Sequence, residues 1–276
     1  MLPTFLGIGV PRGGSTWLHY LLASHPDVFM PIRRKEIQFF DRYYERGLEW
    51  YEEFFPRSDE ALKYKAIGEI TPHYYRCPQC PERIFRTLRE STLIIILRNP
   101  VDRLYSHYGY WVQRRRYKGS FGDFLTLRPE VVEFGYYCRH IERYLRYFDR
   151  ERLLILVFEY AVSHVEQTKK ALADFLDIPF GKFPPTSGST IVNSSAIGNA
   201  NVLYGFAAAT AKLLRRWKLE RAVDFARRLG VEQLFAKGDP LPPLDREMRE
   251  RLSGLYREDS MLLERRFQID LSCWQR

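Results

Sequence analysis

The chain has 276 residues, 45% hydrophobic and 28% charged, a balance that suits a folded globular protein and excludes a largely disordered one. Lys and Arg number 43 against 34 Asp and Glu, so the formal net charge is +9, and the expected partner is anionic: a nucleotide, a sulfated or carboxylated sugar, nucleic acid or an acidic membrane surface. No apolar run reaches the roughly 18 residues that span a bilayer, and four cysteines are too few to staple a chain of this length.

The length predicts one domain with elaborations over 1–276. The opening "MLPTFLGIGVPRGG" carries no basic n-region and no cleavage site, so the chain reads as cytoplasmic, or as a soluble domain of something longer.

Taken in order, "TFLGIGV" (4–10) is a short apolar run suited to a buried parallel strand. The chain then turns on Gly13 and Gly14 and enters a helix over 14–24 that places Trp17, Leu18, Leu21 and Leu22 at helical spacing. A further strand fits "KYKAIGEI" (63–70). Cys77 and Cys80 form the only CxxC; with no second pair or histidines at ligand spacing, they read as loop thiols before a helix, and no metal site is expected. "TLIIILR" (92–98) is the strongest strand, and Asn99-Pro100 starts the helix after it. "RLLILVFE" (152–159) repeats the pattern ahead of a helix over 163–176. Strands alternating with helices predict an α/β, P-loop-like three-layer fold with a mostly parallel central sheet. The stretch 181–199 reads as a long surface loop, 200–230 as a basic helical region, and 236–276 as a C-terminal segment.

Open parallel sheets bind ligands at the C-terminal ends of their strands. There Gly13 and Gly14 let the backbone approach an anion, and the N–H groups of Gly14, Ser15 and Thr16 open a helix whose dipole favours negative charge. A Walker A loop needs a lysine where Ser15 stands; the cation here is Arg12, inside the turn. At the end of the 92–98 strand, Arg98 can grip a phosphate in bidentate fashion and Ser106 can reach the same phosphate. An ATPase or GTPase would carry an Asp there to hold magnesium, so a metal-free nucleotide with an extra phosphate is expected. The residues by themselves leave open a P-loop small-molecule kinase, or a basic non-enzymatic polyanion-binding module resting on "IRRKE" and "QRRRYKG".

"GVPRGGSTWL" and "LRNPVDRLYSHY" resemble the two nucleotide-binding motifs of sulfotransferases that use 3′-phosphoadenosine 5′-phosphosulfate (PAPS). The resemblance implies a 5′-phosphosulfate held by Arg12, Gly13, Gly14, Ser15, Thr16 and Trp17, and a 3′-phosphate held by Arg98 and Ser106. "KEIQFFDRYYERGLEWYEEFFP" (35–56) is similar to a segment of the heparan sulfate sulfotransferases, which makes Glu36 the implied general base and Asp41 a second acidic site residue. "AKGDPLPPLDREMRERLSGLYREDSMLLERRF" (236–267) resembles their C-terminal region, where a Lys-Gly turn, here Lys237-Gly238, contacts the nucleotide.

Arg12 would take the place of the loop's basic catalytic residue and act electrostatically, because a guanidinium does not give up its proton. One position departs from the pattern. In "GEITPHYY" the heparan sulfate enzymes carry lysine where this chain has Ile70, so their substrate is not carried over. What remains implied is transfer of a sulfuryl group from PAPS to a hydroxyl or amine of a carbohydrate or other small natural product. Arg114, Arg115 and Arg116 suit an anionic acceptor, with no nucleic acid partner and 3′-phosphoadenosine 5′-phosphate as product.

Overall fold

The computed structural model describes residues 1–114, 116–185, 196–197 and 239–275. Five strands, β1 (Phe5–Gly9), β2 (Val28–Phe29), β3 (Ala66–Ile70), β4 (Thr92–Leu97) and β5 (Leu153–Val157), form one parallel sheet in the order β2-β3-β1-β4-β5. The main helices are α1 (Ser15–Ala23), α2 (Cys80–Thr87), α3 (Pro100–Gln113), α4 (Tyr137–Tyr144), α5 (Val165–Leu176) and α6 (Arg246–Phe267).

The continuous apolar runs become central strands because side chains alternate between two covered faces. Leu6 and Ile8 of β1 join Leu93, Ile95 and Leu97 of β4 on one face, packed with Ile84, Ile141 and Leu263 from α2, α4 and α6. Phe5, Ile94 and Ile96 point to the other face, where α1 and α5 contribute Leu18, Leu22 and Leu172. The expected three layers therefore form, with β1 paired to β3 on one side and to β4 on the other.

That pairing fixes the site. The chain leaves β1 toward β2 and β3, then crosses back to β4 and β5, so the strand order reverses between β1 and β4 and a crevice opens at their C-terminal ends.

Three local expectations change. The strand expected over 152–159 stops at Val157, and Phe158–Ser163 forms a short helix whose first residues turn toward the crevice. The helix expected from 163 starts at Val165, because His164 breaks from helical geometry at φ −127°. The two-residue edge strand Val28–Phe29 has too little periodic pattern to be found in sequence. Of the stretch expected as a loop over 181–199, residues 186–195 and 198–199 lie outside the described residues, as does the basic region 200–230. Within it Ala196–Ile197 pairs antiparallel with Asp239–Pro240 as β6 and β7.

The start of α3 is locked to the C-terminal end of the chain. Asn99 Oδ1 accepts from the N–H groups of Val101 and Asp102, an N-cap at 3.0 and 3.3 Å, while its Nδ2 donates to the Trp274 carbonyl at 3.1 Å. Glu159 accepts from the Asn99 N–H and from Trp274 Nε1, both at 2.9 Å. Loss of such a cap costs about 1 kcal/mol, and more where a buried donor is orphaned. Asn99→Ala is expected to lower the thermal unfolding midpoint and, through Arg98 and Ser106 on either side, to weaken nucleotide binding, both read by thermal shift.

Candidate active site

The first loop is shaped by contacts that exclude a side chain. Val10 donates its N–H to the Ile96 carbonyl at 3.0 Å, and Gly13 donates to the Val10 carbonyl at 3.0 Å, closing a turn against β4. A Cβ on Gly13 would lie 2.7 Å from the Ile96 oxygen. Gly14 has φ 104°, and a Cβ there would meet the Phe158 ring at 2.2 Å. Helix α1 then begins at Ser15 with no side-chain cap. Its first N–H groups, on Ser15, Thr16 and Trp17, have no carbonyl one turn earlier to bond, so they are left as donors for an anion.

Cations converge on this helix end. Arg12, itself at φ 69°, donates from Nε to Ser106 Oγ at 3.1 Å, and Arg98 Nη1 donates to the Arg12 carbonyl at 3.4 Å. Sequence reasoning joined Arg98 and Ser106 in one grip; the structure places Arg12 between them. Burial, and next the neighbouring Arg98 charge, lower the Arg12 pKa from its ordinary value, with Tyr110 and Glu36 opposing. Lys35 Nζ donates to Thr16 Oγ1 at 2.8 Å and lies 3.6 Å from Glu36. In the sequence Lys35 looks like one more member of a solvated charge run; its only signal is adjacency to Glu36. Burial lowers its pKa too, again opposed by Glu36. The Trp17 and Phe158 rings meet edge to face at 6.5 Å, and Arg98 stacks over Phe158 at 5.5 Å.

Apart from Lys35, these groups line a cavity of about 370 Å³ that also takes in Glu36. Its far wall comes from the loop after β3, with Pro72, His73 and Arg76, and from the stretch around the end of α3, with Trp111, Arg116 and Arg128. Arg128 is held over the Trp111 ring at 4.4 Å and pairs with Glu130. Arg114 stacks on Tyr110 at 4.6 Å, and Arg115 lies outside the described residues. Burial disfavours the charged form of both cavity histidines: His107 is pushed down to about 3, and His73 is lowered by burial and then by Arg76.

Of the residues expected from sequence, Arg12, Gly14, Ser15, Thr16, Trp17, Glu36, Arg98 and Ser106 border this one cavity, and Gly13 forms the turn beneath it. Asp41 does not border it: the half-buried carboxyl lies within electrostatic reach of His73 and Arg76, and burial raises its pKa. Lys237 and Gly238 lie outside the described residues. Ile70, at the position where a lysine was expected from the resemblance, is fully buried in the core with Phe5 and Leu18. Among the described residues no cluster of three metal-ligating side chains exists, and no helix is long and apolar enough to cross a membrane.

Residues 2–199 match the family described as "Sulfotransferase domain". The chain belongs to the sulfotransferase family. It is 33% identical over 187 residues to heparan sulfate glucosamine 3-O-sulfotransferase 3B1 of Mus musculus, covering 64% of this chain and 46% of that one. It is 35% identical over 157 residues to the membrane-associated sulfotransferase kil1 of Dictyostelium discoideum, covering 55% of this chain and 33% of that protein. It thus spans less than half the length of these curated relatives. A crystal structure of a sulfotransferase from Alicyclobacillus acidocaldarius aligns over 100% of both chains with a TM-score of 0.71 at 21% identity, which shows a shared fold.

In this sulfotransferase a second carboxylate, unremarked in the sequence, holds the segment that carries Glu36. Glu69 on β3 is fully buried and accepts from Tyr51 Oη at 3.0 Å, Tyr74 Oη at 2.6 Å and Thr71 Oγ1 at 2.6 Å, with the Ile37 backbone as a further donor. The same Tyr74 oxygen accepts the Phe39 N–H at 3.0 Å, and the Thr71 oxygen accepts the Gln38 N–H at 3.3 Å. Three consecutive N–H groups after Glu36 are therefore tied to β3 through one carboxyl group. Gln38 sits at φ 60°, and these bonds hold it there.

Burial outweighs the donors and pushes Glu69 up to about 7 from the ordinary glutamate value of 4.5. A raised folded-state pKa means that the folded chain holds its proton longer than the unfolded one, so this contribution to stability is complete below 4.5 and is lost as pH rises through about 7. The thermal midpoint of Glu69→Gln is accordingly expected to fall less between about pH 5 and about pH 8 than that of the wild type. A parallel fall in both would refute the assignment.

Proposed function

We propose that this sulfotransferase transfers a sulfuryl group from PAPS to a hydroxyl or amine of a carbohydrate or other small natural product, with Glu36 as general base. The observation that carries the reading is the shared cavity: Arg12, Arg98 and Ser106 line it at the uncapped start of α1, Glu36 opens onto the same space, and Lys35 reaches Thr16 on its border. Bound there, PAPS supplies an activated sulfuryl group whose departure leaves charge on the phosphate.

The chain's own groups suit that chemistry. Arg12, anchored on Ser106 and crowded by Arg98, is a fixed positive charge that gains most when negative charge develops beside it. Lys35 braces Thr16 at the first turn of α1 and sets a second cation next to Glu36. Glu36, with its backbone carbonyl held by Arg34 Nε at 2.9 Å, can take a proton from the acceptor as the acceptor attacks in line. Trp17 and Phe158 offer aromatic surface for the nucleotide base.

Arg76, Arg116 and Arg128 on the far wall, beside Trp111 and Phe134, favour an acceptor with an apolar or sugar-ring face and an anionic group. The relatives named for heparan sulfate add support for a carbohydrate. An arginine at the end of β4, where magnesium-dependent P-loop enzymes place an aspartate, weighs against the kinase reading.

Thermal stabilisation by 3′-phosphoadenosine 5′-phosphate without magnesium is expected to exceed that by ATP with magnesium; the reverse would favour a kinase. With labelled PAPS and a panel of acceptor classes, Arg12→Ala and Glu36→Gln are each expected to lower turnover on the order of 100- to 1000-fold, with nucleotide binding kept in Glu36→Gln. Full activity in Glu36→Gln would remove it as the base.

A further inference from the structure

Cys77 and Cys80 take no part in sulfuryl transfer as described, and the sulfotransferase motifs do not account for them. Cys80 donates its N–H to the Cys77 carbonyl at 3.3 Å, closing a four-residue turn. Such a turn holds its end Cα atoms within about 7 Å, and a disulfide spans roughly 4.4–6.8 Å between Cα atoms, so the backbone already satisfies the main geometric demand. Cys80 is the first residue of the eight-residue helix α2 and is fully buried, while Cys77 is half-buried and open to a reagent. An accessible thiol followed three residues later by a buried one at a helix start is the division between attacking and resolving cysteines found in dithiol redox sites.

We propose that Cys77 and Cys80 form a reversible dithiol–disulfide pair that couples redox state to the wall of the acceptor cavity. The electrostatics agree with the geometry. A hydrogen bond from the Cys80 thiol, helped by the N–H groups of Gln79 and Cys80, brings the Cys77 thiol down to about 7 against the opposing effect of burial. Burial pushes the Cys80 thiol far up, so Cys77 is the more readily ionised of the two and Cys80 the proton-bearing partner. Cys138, by contrast, is pushed up to about 11 by burial.

The oxidant is a low-molecular-weight disulfide. Cys77 thiolate attacks one of its sulfurs, forming a mixed disulfide and expelling one thiolate. Cys80 then loses its proton to solvent, and its sulfur attacks Cys77 Sγ, forming the Cys77–Cys80 bond and expelling the second thiolate. Two protein thiols and one small disulfide become one protein disulfide and two small thiols.

The coupling runs through a single turn. The Cys77 N–H donates to the Tyr74 carbonyl at 3.2 Å, ending the 3-10 turn Tyr74–Arg76 that follows His73. Tyr144 Oη holds the same Tyr74 carbonyl at 2.8 Å, and Arg143 holds the Tyr75 carbonyl at 3.2 Å. Arg76, the residue before Cys77, has no such backbone anchor beyond that turn and reaches the cavity with its guanidinium over Phe134 at 5.3 Å. Drawing the two sulfurs from hydrogen-bond contact to the roughly 2.05 Å of a disulfide tightens the turn at Cys77 and re-aims the adjoining Arg76, while His73 stays fixed ahead of it. Acceptor affinity therefore drops and nucleotide affinity does not.

The full chain, titrated with oxidised glutathione and mapped by peptide mass, is expected to lose two hydrogens through a Cys77–Cys80 link that dithiothreitol reverses. Oxidation is expected to raise the acceptor KM severalfold at unchanged affinity for 3′-phosphoadenosine 5′-phosphate. Cys77→Ser and Cys80→Ser should keep basal turnover and lose the response. The link to turnover rests on the proposed sulfuryl transfer, whereas disulfide mapping and nucleotide binding do not. Absence of turnover in both redox states would count against that transfer alone. Glutathione retained on Cys77 without the internal link, or the link without a change in KM, would overturn the pair or its coupling respectively.

Discussion

Arg12, Arg98 and Lys35 are drawn together at the uncapped start of α1, and like charges held this close in a partly buried crevice repel until an anion joins them. Folding this arrangement costs free energy that the rest of the sheet must offset. The cost is met by β1 and β4, whose alternating side chains fill two apolar clusters on opposite faces of the sheet. The turn glycines work to the same end: Gly13 and Gly14 keep Cβ atoms out of the space where the loop packs against Ile96 and Phe158. Stability is spent where charge must be concentrated, a trade common to functional sites.

The acidic side of the site is organised differently. Glu36 is fixed through backbone N–H groups tied to Glu69, a buried carboxyl group surrounded by hydroxyls rather than by cations. Hydroxyl partners both donate and accept, so the network can stay bonded in either protonation state of Glu69. The cationic and acidic halves thus meet across the cavity from separate supports. Arg12 rests on α3 through Ser106, and the segment after Glu36 rests on β3.

How much was legible follows the range of each interaction. The glycine turn, Arg98 and the Asn99-Pro100 helix start are local patterns, and they appear where local rules put them. Asp41 shares a sequence segment with Glu36 yet does not border the cavity; it stands in the π-helical turn Phe39–Tyr43, within electrostatic reach of His73 and Arg76. Lys35 read as surface charge because nothing nearby in sequence shows that Thr16 will lie 2.8 Å from its ammonium. Glu69 was unreadable for the same reason: its partners Tyr51, Thr71 and Tyr74 reach it from both sides of β3.

The sequence by itself determined the alternation of strands and helices, the phosphate-type loop with its cation at Arg12, and the family to which the chain belongs, since each is written in runs of neighbouring residues. The tertiary structure alone decided that β1 and β4 would lie side by side at the reversal of strand order. It also decided that Arg12 would stand between Arg98 and Ser106, and that Ile70 would be core rather than site. The physical reason is that hydrogen bonds and burial act over a few ångströms in space, while the residues they join stand as far as 175 positions apart in the chain.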